Sequence, residues 1–144
     1  MKNHALQSRT INASTAKIVR AGESYVAEQG SIYRSGIAAE SVGSTMLWLG
    51  MIFLPAGRRT SAHRHEGHET ALLMTKGKEI EIWSGARLER CDQLRPGDYL
   101  FIPAGVPHVA VNRSTANAEF IGARTDPAAN ESVVMMLGLD DVVP

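Results

Sequence analysis

The sequence predicts an all-β fold, a sandwich or barrel of about ten short strands. Three observations carry that expectation. Short apolar and β-branched runs recur between Gly, Pro, Asn and Asp clusters. Glu79 to Trp83, EIEIW, alternates polar and apolar residues, as a strand with one wet face does. No segment carries the sustained apolar spacing of a long helix.

Residues 1–15, polar and mixed, read as a loosely ordered N-terminal arm in which His4 is solvated. Lys17 to Ala21, KIVRA, reads as a first short strand. Gly22 and Gly30 bracket a polar loop or a short helical turn, ESYVAEQ. Ser31 to Glu40 is a strand with Gly36 as a bulge. Thr45 to Leu54, TMLWLGMIFL, is the most continuously apolar run. It stops at Pro55-Ala56-Gly57 and feeds a His-x-His segment, which makes it a buried strand rather than a helix. Trp48 and Met51 fall on its opposite faces.

Glu69 to Thr75 is a strand, and Lys76-Gly77-Lys78 a turn before Glu79 to Trp83. Arg87 to Asp92 and Asp98 to Ile102 are strands joined through Arg95-Pro96-Gly97-Asp98, where proline fixes φ and glycine supplies a positive one. Pro103 ends the second, Ala104-Gly105 turns the chain back, and His108 leads into Val109 to Asn112. Ala118 to Arg124 is a further strand, 126–130 a loop, Ser132 to Leu137 the last apolar segment, and Asp140 to Pro144 a short tail.

The stretch Gly57 to Gly77 holds His63, His65 and His68, three of the chain's five histidines. On a strand, residues i and i+2 face the same way, with Cα atoms about 6.7 Å apart. At that separation His63 and His65 can lean onto one ion, each nitrogen about 2.1 Å from a zinc-like centre. Glu69 shares the parity of His65 and would add a carboxylate. The bend Glu66-Gly67-His68 leaves that open, with Glu66 and His68 as substitutes. His108 stands 43 residues beyond His65.

Read together, these stretches resemble the cupin family. The first family motif is Gly, five residues, His-x-His, three or four residues, Glu, six residues, Gly. Gly57, His63, His65, Glu69 and Gly77 follow it, except that seven residues separate Glu69 from Gly77. Counted backward from Gly77, Thr70 takes the glutamate position. Glu69 is preferred, because carboxylate is the hard anionic donor and a one-residue bulge is a small adjustment. The second motif is matched without a gap by Gly97, Pro103, Gly105, His108 and Asn112, after an inter-motif stretch of 19 residues.

The resemblance implies a jelly-roll (double-stranded β-helix) barrel: one cupin domain over 16–144, with motif 1 at 57–77 and motif 2 at 97–112. It implies one divalent transition metal (iron, manganese, nickel, cobalt or zinc) on His63, His65, Glu69 and His108. An octahedral ion so held keeps positions for water, dioxygen or a chelating substrate. The function implied is an enzyme on a small carboxylate or carbonyl compound, of dioxygenase, isomerase or decarboxylase type. The alternative is a non-catalytic binding or sensing protein with a structural metal. Glu69, if not a ligand, or His68 is the nearest general base. Small cupins commonly pair through sheet edges, and SVVMML is the candidate segment for crossing to a partner in a homodimer.

Fifteen Lys and Arg balance fifteen Asp and Glu, so charge gives no reason to expect nucleic acid or an anionic membrane as partner. The single cysteine, Cys91, excludes an internal disulfide, fits a reducing cytosol and reads as a small buried side chain. The N-terminus lacks the apolar core of a signal peptide, and Met46 to Ala56 falls short of the ~20 residues of a bilayer span. A cytoplasmic protein with a small-molecule substrate is expected. Arg34, Arg58, Arg64, Arg113 and Arg124 are candidates to clamp a substrate carboxylate. Tyr33, Trp48, Phe53 and Phe101 are candidate walls, the motif glycines are turn formers, and Asn112 braces the His108 strand.

Overall fold

A computed structural model describes residues 15–144. The expected arm, with His4, lies outside the described residues apart from Thr15. The elements in chain order are β1 (Tyr25–Val26), β2 (Ile32–Ile37), α1 (Ala39–Val42), β3 (Trp48–Leu54), β4 (His63–His65), β5 (Thr70–Lys76), β6 (Ile80–Ser84), β7 (Arg90–Leu94), β8 (Tyr99–Ile102), β9 (His108–Val111), β10 (Ala118–Arg124), β11 (Val133–Met135) and a 3₁₀ segment, Leu137–Val142. They form two antiparallel sheets, ordered β1-β2-β3-β10-β5-β8 and β11-β4-β9-β6-β7. From β3 onward the chain changes sheet at nearly every turn, which is the winding of a jelly roll. The expected closed barrel is instead, among the described residues, a pair of open sheets that end in β1 and β8 and in β11 and β7. Side chains between the sheets, not edge-to-edge hydrogen bonds, hold them together.

Binary patterning places the core. On β3, Trp48, Ile52 and Leu54 are buried, while Leu49 is exposed. They meet Tyr33, Met74, Ile80, Ile82, Leu94, Ala118 and Phe120 between the sheets. A second cluster comprises Ala62, Leu88, Val109, Val111 and Val143. Val109 and Val111 alternate with His108 and Ala110 along β9, so this cluster lies on the other face of the five-stranded sheet. The 3₁₀ segment covers it. Asp140 Oδ1 accepts a hydrogen bond from the Ala62 N–H at 2.6 Å, and Arg59 donates to the Val143 carbonyl at 3.0 Å.

Several expectations need correction. Lys17 to Ala21 forms no strand with the described residues. A strand forms instead at Tyr25, whose hydroxyl donates to the Ala129 carbonyl at 2.6 Å and lies 2.9 Å from Ser35 Oγ. The Ser31–Glu40 strand ends at Ile37 and a helical turn follows, with Ser41 Oγ accepting from the Ala38 N–H. Within the single chain the SVVMML segment supplies β11, which pairs with β4 at Val133↔His65, Val134↔Arg64 and Met135↔His63, covering the edge beside the histidines. Cys91 is exposed, because β7 is an edge strand with polar neighbours on both sides.

Candidate metal centre

The histidine strands are neighbours. β4 lies between β11 and β9, and His63 is the direct antiparallel partner of His108. His63, His65 and His108 are all buried. Their ring centroids stand 4.3 Å (His63–His108), 4.6 Å (His65–His108) and 5.4 Å (His63–His65) apart. One nitrogen from each lies within 4.8 Å of the others, a separation at which three imidazoles can share one ion.

Local folding explains the placement. The Pro-x-Gly turn is tied to β4 by a hydrogen bond from the Gly105 N–H to the His65 carbonyl, 2.8 Å. Gly57, Gly77, Gly97 and Gly105 all have positive φ, as the turn-forming role required. Asn112 braces the end of β9 as expected. Its Nδ2 donates to the carbonyls of Leu54 and Ala116, each at 2.9 Å, and its Oδ1 accepts from Ser114 Oγ at 2.7 Å.

Hydrogen bonds fix two of the tautomers. His63 Nδ1 lies 2.7 Å from the Ser61 carbonyl, and His108 Nδ1 lies 2.9 Å from the Val106 carbonyl. A carbonyl only accepts, so each Nδ1 carries the proton and each Nε2 keeps its lone pair. Burial lowers all three basicities: His63 below its ordinary 6.5, His65 to about 4 and His108 to about 3. At neutral pH the three rings are therefore neutral, the form a metal needs.

Glu69 is not brought to this group. It is exposed, and its N–H donates to Thr125 Oγ1 at 3.0 Å. Thr70 is buried in its stead, with Oγ1 3.0 Å from His65 Nδ1. Parity fails here because β4 and β5 belong to different sheets, and the chain crosses between them at 66–69. Glu66 is exposed as well.

His68 is buried, stacked on His65 at 4.8 Å with 12° between the planes. Its Nε2 lies 2.9 Å from Glu131 Oε2. The side chain of Glu131 is 3% exposed, and its Oε2 stands 3.6 Å from His65 Nε2. Tyr33 Oη and Gln29 Nε2 donate to Oε1 at 2.6 and 3.1 Å. Burial alone would raise this carboxyl. The His68 hydrogen bond, with His65, Arg124 and Tyr33 behind it, outweighs burial and brings it down to about 2. Sequence reasoning missed Glu131: it sits in the β10–β11 connection, 66 residues from His65, with no local pattern to mark it.

A cavity of about 60 Å³ adjoins the histidines, walled by Ile52, Leu72, Ile82, Ile102 and Phe120, with Tyr33, Thr60 and Thr70 as its polar edge. Of the four candidate wall aromatics only Tyr33 lines it; Trp48 is core and Phe101 is exposed. None of the five candidate arginines lines it. Arg113 pairs with Glu81, and Arg34 lies over Phe53. Arg124 is buried over the Trp48 ring and donates to the Ala128 and Ala129 carbonyls.

No curated protein matches the sequence. Solved structures do match the fold. Polyketide cyclase RemF from Streptomyces resistomycificus superposes with TM-score 0.63 at 22% identity, over 82% of this chain and 80% of that one. Peruvianin-I, a cysteine peptidase from Thevetia peruviana latex, gives 0.63 at 21% identity, over 80% and 72%. A predicted oxalate decarboxylase from Thermotoga maritima gives 0.58 at 17% identity, over 74% and 92%. Their named activities differ, and at such identities the likeness concerns the fold alone. The sequence pattern of the Cupin domain family, in turn, matches residues 50–123, just over half of the chain, and takes in all three clustered histidines. With two sheets wound as a jelly roll around that triad, the chain belongs to the cupin family.

Proposed function

We propose that this cupin is a metal-dependent enzyme acting on a small carboxylate or carbonyl compound. One observation carries the reading: three buried, neutral imidazoles converge on one point at the wall of a cavity. A structural metal site is closed, whereas a site that works on a ligand has space beside it. The donor set suits iron, manganese, nickel, cobalt or zinc. When bound, such an ion supplies Lewis-acid polarisation of a chelated oxygen and, if it is iron, access to dioxygen chemistry.

The chain's own residues do the rest. His63, His65 and His108 would hold the ion, and two of the rings are oriented by the Ser61 and Val106 carbonyls. Apolar walls exclude water and confine the ligand to a few heavy atoms. Burial, and then the charge of Glu131, raise the Tyr33 phenol well above its ordinary value, so it stays protonated. No arginine lines the cavity, so the positive charge for a substrate carboxylate there would have to come from a metal held by the three histidines.

Protein purified without added metal should contain about one transition-metal ion per chain by elemental analysis. His108→Ala should weaken its retention by at least about 100-fold, the upper end of what outer-shell changes do. Oxygen uptake by the iron-loaded protein with small dicarbonyls or hydroxy acids would select the dioxygenase branch. Turnover of the same compounds without oxygen would select isomerisation or decarboxylation. Binding without turnover would select the non-catalytic alternative. Metal content untouched by removing all three histidines would end the proposal.

The same reading includes a homodimer, now through a sheet face rather than through β11. On the outer face of the six-stranded sheet Leu49, Ile121 and Phe101 are 43%, 41% and 59% exposed. Strand register sets them in rows, Leu49↔Ala123↔Ala71↔Phe101 and Met51↔Ile121↔Leu73↔Tyr99. A contiguous apolar face of this kind marks a contact surface. Light scattering at micromolar concentration should give the mass of two chains, and Ile121→Glu should halve it. A single-chain mass for the unaltered protein contradicts the dimer.

A further inference from the structure

We propose that the ligand of this site carries a flat, uncharged, ring-sized body, seated in a second cavity that opens beside His108 between β7 and β8. The inference rests on the enzyme reading above and narrows the class of compound it acts on. The first cavity, about 60 Å³, admits the reacting group of a ligand and little else. The second is about 400 Å³, inside the range of roughly 300–1,000 Å³ usual for small-molecule sites. The two share Ile82, Leu100, Ile102 and His108 as walls, so they adjoin.

Strand register marks the path between them. His63 pairs with His108, His108 with Ser84, and Ser84 with Arg90, one row across β4, β9, β6 and β7. Directly opposed residues share a face of their sheet. Ser84 and Arg90 thus continue the histidine row toward the sheet's edge, and both line the second cavity. Strands stand about 4.8 Å apart, so the Arg90 backbone lies roughly 10 Å from that of His108. A three-carbon head bearing one six-membered ring spans that length. Among the described residues β7 and β8 each end a sheet, which leaves this side open.

The walls set the shape of the body. Ile82 comes from one sheet, Leu100 and Ile102 from the other, so the space is an apolar slot between two β surfaces. Such a slot suits a flat apolar group, and removing that group from water drives it in. A cavity of about 150 Å³ holds a benzene ring, so this one has room for a ring and its substituents.

Charge disfavours a second anion on that body. The lining sets one guanidinium, Arg90, against two carboxylates, Glu89 and Asp92. Arg90 is already committed: its Nε and Nη2 donate to Asp92 Oδ2 and Oδ1 at 2.7 and 3.2 Å. Glu89 keeps its charge, because hydrogen bonds from its own N–H and from that of Arg87 hold its carboxyl below the ordinary value. Of the five N–H groups on a guanidinium, two are spent on Asp92. The remaining three, with the Ser84 hydroxyl, suit neutral oxygen substituents such as a hydroxyl.

Cobalt(II)-loaded protein and three 2-oxo acids test the inference without any assay of turnover. The visible d–d bands report occupancy as each acid is titrated in. Phenylpyruvate should bind at least about tenfold more tightly than pyruvate, because its ring is buried. 4-Carboxyphenylpyruvate should lose most of that gain. Ser84→Phe fills the slot beside His108, so it should bring the phenylpyruvate-to-pyruvate affinity ratio down toward one. Asp92→Asn, on an exposed edge strand, leaves Arg90 uncompensated and should raise the affinity of 4-carboxyphenylpyruvate severalfold, as an exposed ion pair does. Equal affinities for pyruvate and phenylpyruvate in the unaltered protein would overturn the inference and leave the metal reading standing. So would a ring preference that survives Ser84→Phe. If that variant folds poorly, Asp92→Asn decides, and no gain there would overturn the inference. Unaltered protein that binds no cobalt, or whose bands no 2-oxo acid moves, would remove the enzyme reading and this inference with it.

Discussion

Trp48→Ala is expected to cost about 3–5 kcal/mol of folding free energy, the range for deleting a large buried aromatic. Trp48 is 1% exposed, and its loss reaches beyond the core. Its ring packs against Tyr33, with centroids 5.6 Å apart, and lies beneath the Arg124 guanidinium at 4.1 Å. Both neighbours belong to the group around Glu131, so the void opens under the carboxylate network. Trp48→Phe should be far milder. It keeps an aromatic surface and loses the indole hydrogen bond to Ser35 Oγ, 2.8 Å, for about 1 kcal/mol. Urea unfolding of both variants, followed by circular dichroism, gives the two numbers. Equal costs for Ala and Phe would mean that the ring's packing is not what matters.

Acid should destabilise the metal-free protein well before ordinary carboxylates titrate. The folded His65 ring stays neutral down to about 4, whereas in the unfolded chain it protonates near 6.5. Between those values the unfolded chain binds more protons, so falling pH drives unfolding. This contribution is fully present above 6.5 and is lost as pH falls toward 4. For His65 alone it is on the order of 3 kcal/mol. His63 and His108 act in the same direction, the latter down to about 3. Glu131 adds a further loss below its unfolded 4.5, because its folded value is about 2. The urea midpoint should drop steeply between pH 7 and pH 5, and His65→Gln should flatten that slope. A midpoint that holds steady over the interval would mean that these rings are not buried as described.

What local pattern can announce, it announced well. Ala118–Arg124 lies within its expected bounds because a short apolar run between polar turn residues becomes a central strand flanked on both sides. The histidine triad was legible because spacing within β4, and the turn before β9, are short-range properties. The failures were long-range. Glu69 is preferred in the sequence for its carboxylate and a one-residue bulge, but the chain changes sheets over 66–69 and leaves that side chain exposed. The strand at Tyr25 depends on Ser35 and Ala129, neither of them near in sequence. Glu131 becomes visible only once the β10–β11 connection is folded back over His65 and Tyr33. Side chains recruited by tertiary contact leave no periodic trace in the residues beside them.

His63 and His108 face each other as register partners, one on each of two adjacent strands. If β9 zipped onto β4 one residue out of step, His108 would turn to the far side of its sheet and Val109 would take its place. Such a chain would keep its strands, and its far-ultraviolet spectrum would hardly differ. The same slip would turn Val109 and Val111 out of their buried cluster, so the register that gathers the histidines is the one that the core packing enforces.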